Sequence, residues 1–103
     1  MKTSKTRPPI PIPVSQSFTM RLTYPNKVAM FSRIVACIGK HGGDLGGVDI
    51  VAAEGSTITR DITVRSRSRE HGEEIIEAVR RLKDVKLVNV SDRVFLLHLG
   101  GKI

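Results

Sequence analysis

Between Phe18 and Val90 the spacing of apolar residues switches period repeatedly, and that succession constrains the fold more than any other feature of the chain. Phe18, Met20, Leu22 and Tyr24 alternate with Thr19, Arg21 and Thr23, the two-residue period of a strand with one buried face. After Pro25-Asn26, residues Val28, Phe31, Ile34, Val35 and Ile38 recur at helical spacing, and Gly42-Gly43 stops that helix beyond His41. Val48, Ile50 and Ala52 alternate again, and Glu54-Gly55-Ser56 supplies a tight turn. Ile58, Ile62 and Val64 then return as the second arm of a hairpin, opposite Thr57, Thr59, Asp61 and Thr63. Beyond the basic loop Arg65 to Arg69, Ser68 is placed to cap a second helix with an inward stripe of Gly72, Ile75, Ile76, Val79 and Leu82. Its acids come early (Glu70, Glu73, Glu74) and its bases late (Arg80, Arg81, Lys83), the order the helix dipole favours. A last strand starts near Val85 and, bent at Ser91-Asp92, runs to Leu99.

Strand, helix, strand, strand, helix, strand is two βαβ-like halves. With right-handed crossovers they predict an α+β domain of the ferredoxin-like βαββαβ type: a four-stranded antiparallel sheet with both helices on one face. The other face is left free to bind. The 103 residues hold one such domain, with an expected extent of residues 17 to 99. Residues 1 to 16 carry four of the five prolines and read as a flexible, basic, proline-rich arm, while residues 100 to 103 read as the start of a linker. A core this small favours self-association, so a homodimer through sheet edges and helix flanks is expected.

Seventeen Lys and Arg against ten acids give a net charge of +7, which raises the question of nucleic acid. Three of those charges, from Lys2, Lys5 and Arg7, sit in the arm, where no acid balances them. A sheet that reads RNA stacks bases on aromatic side chains, yet the hairpin strand from Thr57 to Val64 has none. Nucleic acid is therefore the disfavoured partner, and a free-standing basic nucleic-acid module stands as the alternative reading. The single thiol, Cys37, together with the lack of an apolar signal segment at the N-terminus, points to a reducing cytoplasm. No apolar run reaches the length of a membrane helix, so no membrane partner is expected.

The chemistry of catalysis is hard to find. Gly42, Gly43, Gly46 and Gly47 follow a helix and lead into a strand, whereas a dinucleotide loop follows a strand and opens a helix. His41, Asp44 and Asp49 lack the spacing of a dedicated metal site. Cys37 has no activating base in sequence and reads as a packed thiol; His71 and Glu74 read as a solvated helix flank, and His98 as a core or interface residue. The chain as given reads as lacking an active site.

The element order, the Tyr24-Pro25-Asn26-Lys27 turn and the Gly42-Gly43-Asp44-Leu45 turn together resemble the ACT domain, a small regulatory module of metabolic enzymes. A closer similarity lies in the stretches His41 to Val51, Arg60 to Val64 and Val88 to Ile103, which look like the N-terminal ACT domain of bacterial NAD-dependent malic enzymes. The resemblance implies a regulatory and dimerisation domain, with malate decarboxylation to pyruvate carried out elsewhere in a parent chain. NAD and a divalent metal would then belong to that catalytic part and not to this chain. It also implies a small metabolite, often an amino acid, bound between the first loop of one subunit and the start of strand two of another. By position, that site comprises Tyr24, Asn26, Lys27, Val28, Ala29 and Met30, with Asp44, Leu45 and Gly46 from the partner. Val28-Ala29 stand where many family members have Pro-Gly.

Overall fold

The computed structural model describes residues 16–92. The arm, the continuation of the last strand towards Leu99, and His98 lie outside the described residues. The order is β1 (Gln16–Pro25), α1 (Val28–Lys40), β2 (Asp44–Glu54), β3 (Thr57–Ser66), α2 (Arg69–Arg80) and β4 (Lys86–Asp92). The strands form one antiparallel sheet in the order β2-β3-β1-β4, so the predicted ferredoxin-like arrangement is present.

The alternation of β1 sets the core. Phe18, Met20, Leu22 and Tyr24 point inward and are buried together with Ile58, Ile62 and Val64 of β3. Met30, Ile34 and Ile38 of α1 and Ile75 and Val79 of α2 close the layer from above. Each of these side chains contributes about 1.5–3 kcal/mol by leaving water. No β2 residue belongs to this cluster. The alternation of Val48, Ile50 and Ala52 does not correspond to a buried face: Leu45, Val48, Ile50 and Val51 are all exposed, Ile50 at 63%. An outer strand has a neighbour on one side only, and the inward stripes of the helices are spent on β1 and β3.

The helix ends show which sequence signals were decisive. Ser68 caps α2, its hydroxyl accepting from the His71 N–H at 3.1 Å. At the C-terminus of α1, Gly42 takes φ 81°, and its N–H donates to the Gly39 carbonyl while the Gly43 N–H reaches back to Ile38. This is a Schellman closure, which requires a left-handed residue at Gly42. Gly43 is needed for space: a Cβ there would stand 2.8 Å from Ile38 Cγ2 and 3.0 Å from Ile75 Cδ1.

His71 departs from its sequence reading. It is buried at 4% exposure, with Nδ1 accepting from the Arg67 N–H at 2.9 Å and Nε2 donating to the His41 carbonyl at 2.7 Å. It is a tie between the start of α2 and the end of α1, and a helix flank only by sequence spacing.

Candidate functional site

Three regions of the described surface have enough chemistry to hold a partner: the open sheet face, the cleft between the helices, and the end of the sheet where α1 begins.

The open face is a polar lattice already paired with itself. Thr19 meets Thr63 at 2.9 Å and Thr23 meets Thr59 at 2.7 Å. Between these pairs, Arg21 holds Asp61 with Nε and Nη2, at 2.8 and 3.0 Å. Farther out Arg65 donates to Asp44 at 2.7 Å. Such exposed pairs are each worth about 0–1 kcal/mol, more when bidentate, and they fill the surface with groups whose bonds are spoken for. Among the described residues no aromatic side chain lies on this face, since Phe18 and Tyr24 point into the core and Phe31 sits on α1.

The groove between α1 and α2 is open to solvent, about 460 Å³ in volume, and is rimmed by Arg33, Lys40, His41 and Arg81 over Cys37 and Leu82. Burial pushes the Cys37 thiol up from its ordinary value, against the pull of Lys40. A thiol so shifted is less often the reactive thiolate, which agrees with a packed role.

The third region is the loop from Tyr24 to Met30. Pro25 ends β1, the Asn26 N–H donates to the Ser56 carbonyl at 2.8 Å, and Lys27 takes an extended N-cap conformation with φ −132° and ψ 142°. No side chain caps α1. Asn26, the residue best able to do so, is exposed and leaves the first-turn N–H groups alone. Those of Val28 and Ala29 have no carbonyl four residues back within the helix, so they and the positive end of the helix dipole face outward. Met30 is buried in the core and contributes only backbone here. Tyr24 is also buried, at 2% exposure, its hydroxyl accepting from Arg60 Nη1 at 3.1 Å.

The remaining family positions lie at the far end of the same chain. Asp44 stands opposite Arg65, itself opposite Ser17, whereas Tyr24 stands opposite Ile58. Seven strand residues, roughly 23 Å, separate the two groups within one chain. Asp44 is engaged by Arg65, Leu45 projects from the helix side of the sheet beside Val64, and Gly46 sits in a β-bulge. The loop residues come together; Asp44, Leu45 and Gly46 do not join them within the chain.

Arg60 is the residue that sequence reasoning missed. It occupies an inward position of β3, between Ile58 and Ile62, where the apolar alternation skips a step. Its guanidinium lies 4.6 Å from the centroid of the Phe31 ring, and its Nε is buried without a hydrogen-bond partner. The break in an otherwise apolar inward row was the available signal.

No family model matches the chain. The solved structures it resembles include ACT domains. That of the GTP pyrophosphokinase of Chlorobium tepidum aligns over 76% of this chain and 97% of its own, with TM-score 0.59 at 14% identity. An ACT domain protein from Streptococcus pneumoniae gives TM-score 0.56 at 14% identity, over 75% of this chain and 89% of its own. The fold is that of an ACT domain. In sequence the chain is related to NAD-dependent malic enzymes: it is 43% identical to that of Geobacillus stearothermophilus over 94 residues, and 36% identical to NAD-dependent malic enzyme 1 of Bacillus subtilis (strain 168) over 86. Those alignments cover 91% and 82% of this chain but 20% of each relative. The chain thus spans about a fifth of the length of the curated relatives it matches. Among the described residues no three His, Cys, Asp or Glu side chains stand together to hold a metal ion.

Proposed function

We propose that the chain is the regulatory domain of an NAD-dependent malic enzyme, sensing a small metabolite at a site that two copies complete. The observation that carries this reading is the uncapped N-terminus of α1, placed at one end of a sheet whose outer strand is bare. A helix start with free N–H groups suits a carboxylate, and Lys27 adds a charge-assisted donor. β2 offers eleven residues of unpaired edge with Leu45, Val48 and Ile50 exposed on the helix side. Antiparallel pairing of two β2 strands about a twofold centred near Asp49 carries Asp44, Leu45 and Gly46 of one copy to the Glu54 end of the other, beside the loop from Tyr24 to Met30. This supports the division of the site between two subunits.

The effector this arrangement favours is a zwitterion such as an amino acid, its carboxylate on the α1 N-terminus and its amine towards Asp44. Binding would bias the catalytic part of the same parent chain. The test is calorimetry across amino acids and central-metabolism acids, repeated with Asn26→Ala and Asp44→Ala. An amino acid binding at submillimolar concentration and weakened by either substitution supports the reading; no binding at millimolar concentration, or binding unchanged in both variants, removes it.

A further inference from the structure

We infer that the groove between α1 and α2 is a docking surface for an acidic amphipathic helix of a partner polypeptide. The carboxylates of that helix meet Arg33, Lys40 and Arg81, and its apolar stripe covers the floor between them. None of these residues belongs to the effector reading above, so the two stand or fall separately.

The groove carries charge of one sign. Arg33, Ala36, Cys37 and Lys40 recur at i, i+3, i+4 and i+7 and so share one face of α1, while Ala78, Arg81 and Leu82 line the other wall at the end of α2. No acidic side chain is among the lining residues, and α1 itself contains none. Glu77, one turn before Arg81, is held by Arg80 through Nε and Nη2. The ion pairs among the described residues join Arg21 to Asp61, Arg65 to Asp44 and Arg80 to Glu77. Arg33, Lys40 and Arg81 therefore have no anionic partner among those residues. Three cations around one groove repel one another, and an acidic partner turns that repulsion into attraction.

Spacing and shape select the occupant. Arg33 and Lys40 lie two turns apart, a rise of about 10.5 Å, which one small anion cannot bridge. A helix with acids seven residues apart repeats that distance. On the floor, Ala36 and Ala78 are small enough for a third helix to lie close, and Leu82 supplies an aliphatic contact. The groove is open along its length, as suits a segment laid in by its apolar face, whereas a small-molecule site encloses most of its ligand. Phosphates of a nucleic acid would meet the cations and leave the apolar floor uncovered. The rest of this chain is the wrong sign: residues 1–15 carry Lys2, Lys5 and Arg7, residues 93–103 carry Arg93 and Lys102, and neither stretch contains an acid. A second copy offers its acids on α2, where Arg69 and Arg80 flank them and Glu77 is already paired.

The test titrates the intact chain at low salt with a capped synthetic helix, two repeats of Glu-Leu-Ala-Ala-Leu-Glu-Ala, beside a control peptide with Gln for Glu. Calorimetry is expected to give a Kd of about 100 μM or tighter for the acidic peptide and at least tenfold weaker binding for the control. Cys37, the sole cysteine, lies on the groove floor, so its alkylation by iodoacetamide should slow at least threefold when the acidic peptide is bound. Arg33→Glu with Arg81→Glu should weaken the acidic peptide at least tenfold and gain affinity for a peptide with Lys for Glu. Arg69→Glu, a charge reversal outside the groove, should stay within twofold of the wild type. Circular dichroism checks that each variant is folded, and the gain for the Lys peptide cannot come from an unfolded chain. Equal loss in Arg69→Glu makes the binding one of net charge, and unprotected Cys37 places the peptide elsewhere; either overturns the inference. So does a single-stranded oligonucleotide that binds more tightly than the acidic peptide and loses affinity in the double variant. A fall in sedimenting mass in the double variant, with no peptide bound by the wild type, assigns the groove to a second copy and overturns it as well. Absence of peptide binding at about 1 mM does the same. Amino-acid calorimetry on the double variant judges the effector reading separately, since none of that site's residues is changed.

Discussion

The His71 imidazole spans from the Arg67 N–H to the His41 carbonyl, 2.9 and 2.7 Å away, and so fastens the start of α2 to the end of α1. Acceptance at Nδ1 fixes the proton on Nε2, so both ring nitrogens are committed. Replacing His71 by Ala leaves the Arg67 N–H and the His41 carbonyl without their partner and opens a cavity where the buried ring stood. The expected loss is about 2–4 kcal/mol, read from the urea midpoint at constant slope. His71→Gln, which keeps a donor and an acceptor, should lose less.

Gly43 and Gly46 stand three residues apart, and their substitutions should separate cleanly. Gly43→Ala drives a methyl into Ile38, Ile75 and Val64, and is expected to cost about 1–3 kcal/mol. A Cβ at Gly46 meets nothing nearer than 3.5 Å, so Gly46→Ala should change thermal stability by less than about 0.5 kcal/mol. Thermal unfolding of the two variants beside the wild type checks both.

The two helix starts offer a complementary pair of tests. Ser68→Ala removes a working cap and should destabilise the domain by about 1 kcal/mol, whereas Lys27→Ser supplies one that α1 lacks and should stabilise by about 0.5–1 kcal/mol. Lys27→Ser should also weaken the effector, because the new hydroxyl occupies first-turn N–H groups that the ligand needs. A variant more stable and equally able to bind would show that α1 is not where the carboxylate sits.

Most of this architecture was legible because local signals and global fold agree. β1, the α1 stop at Gly42-Gly43 and the Ser68 cap are where periodicity or capping chemistry is unambiguous, and each falls where the residues placed it. β2 alternates like a buried strand, yet burial depends on which strand lies outermost, a property of sheet order that two-residue periodicity does not encode. His71 was misread because its neighbours in sequence are charged, while its partners, Arg67 and His41, are a turn and 30 residues away. The loop from Tyr24 to Met30 joins β1 to α1, and its two ends, Tyr24 and Met30, turn into the core, a burial that position in sequence does not reveal. Arg60 escaped because a single charged residue in an apolar row reads as a gap until Tyr24 and Phe31 are seen to hold it.

Titration should report on two exposed or half-exposed groups. The Arg80 hydrogen bond holds the Glu77 carboxyl below its ordinary range. A depressed value in the folded state means stability present at neutral pH and lost as pH falls through the folded value, so Glu77→Gln should flatten the acid limb of the stability profile between its ordinary and its depressed range. Cys37 shifts the other way through burial, with Lys40 opposing. Its contribution is present below the ordinary thiol value and fades as pH rises towards the folded one, and its thiolate absorbance should titrate with a midpoint above that of free cysteine.

A site divided between two copies requires that the copies meet, and sedimentation equilibrium at tens of micromolar measures this directly. The account predicts that the wild type sediments at twice its 11.3 kDa mass, while Ile50→Lys, which puts a charge on the bare β2 edge, sediments as a folded monomer. A wild-type chain at 11.3 kDa under those conditions contradicts it.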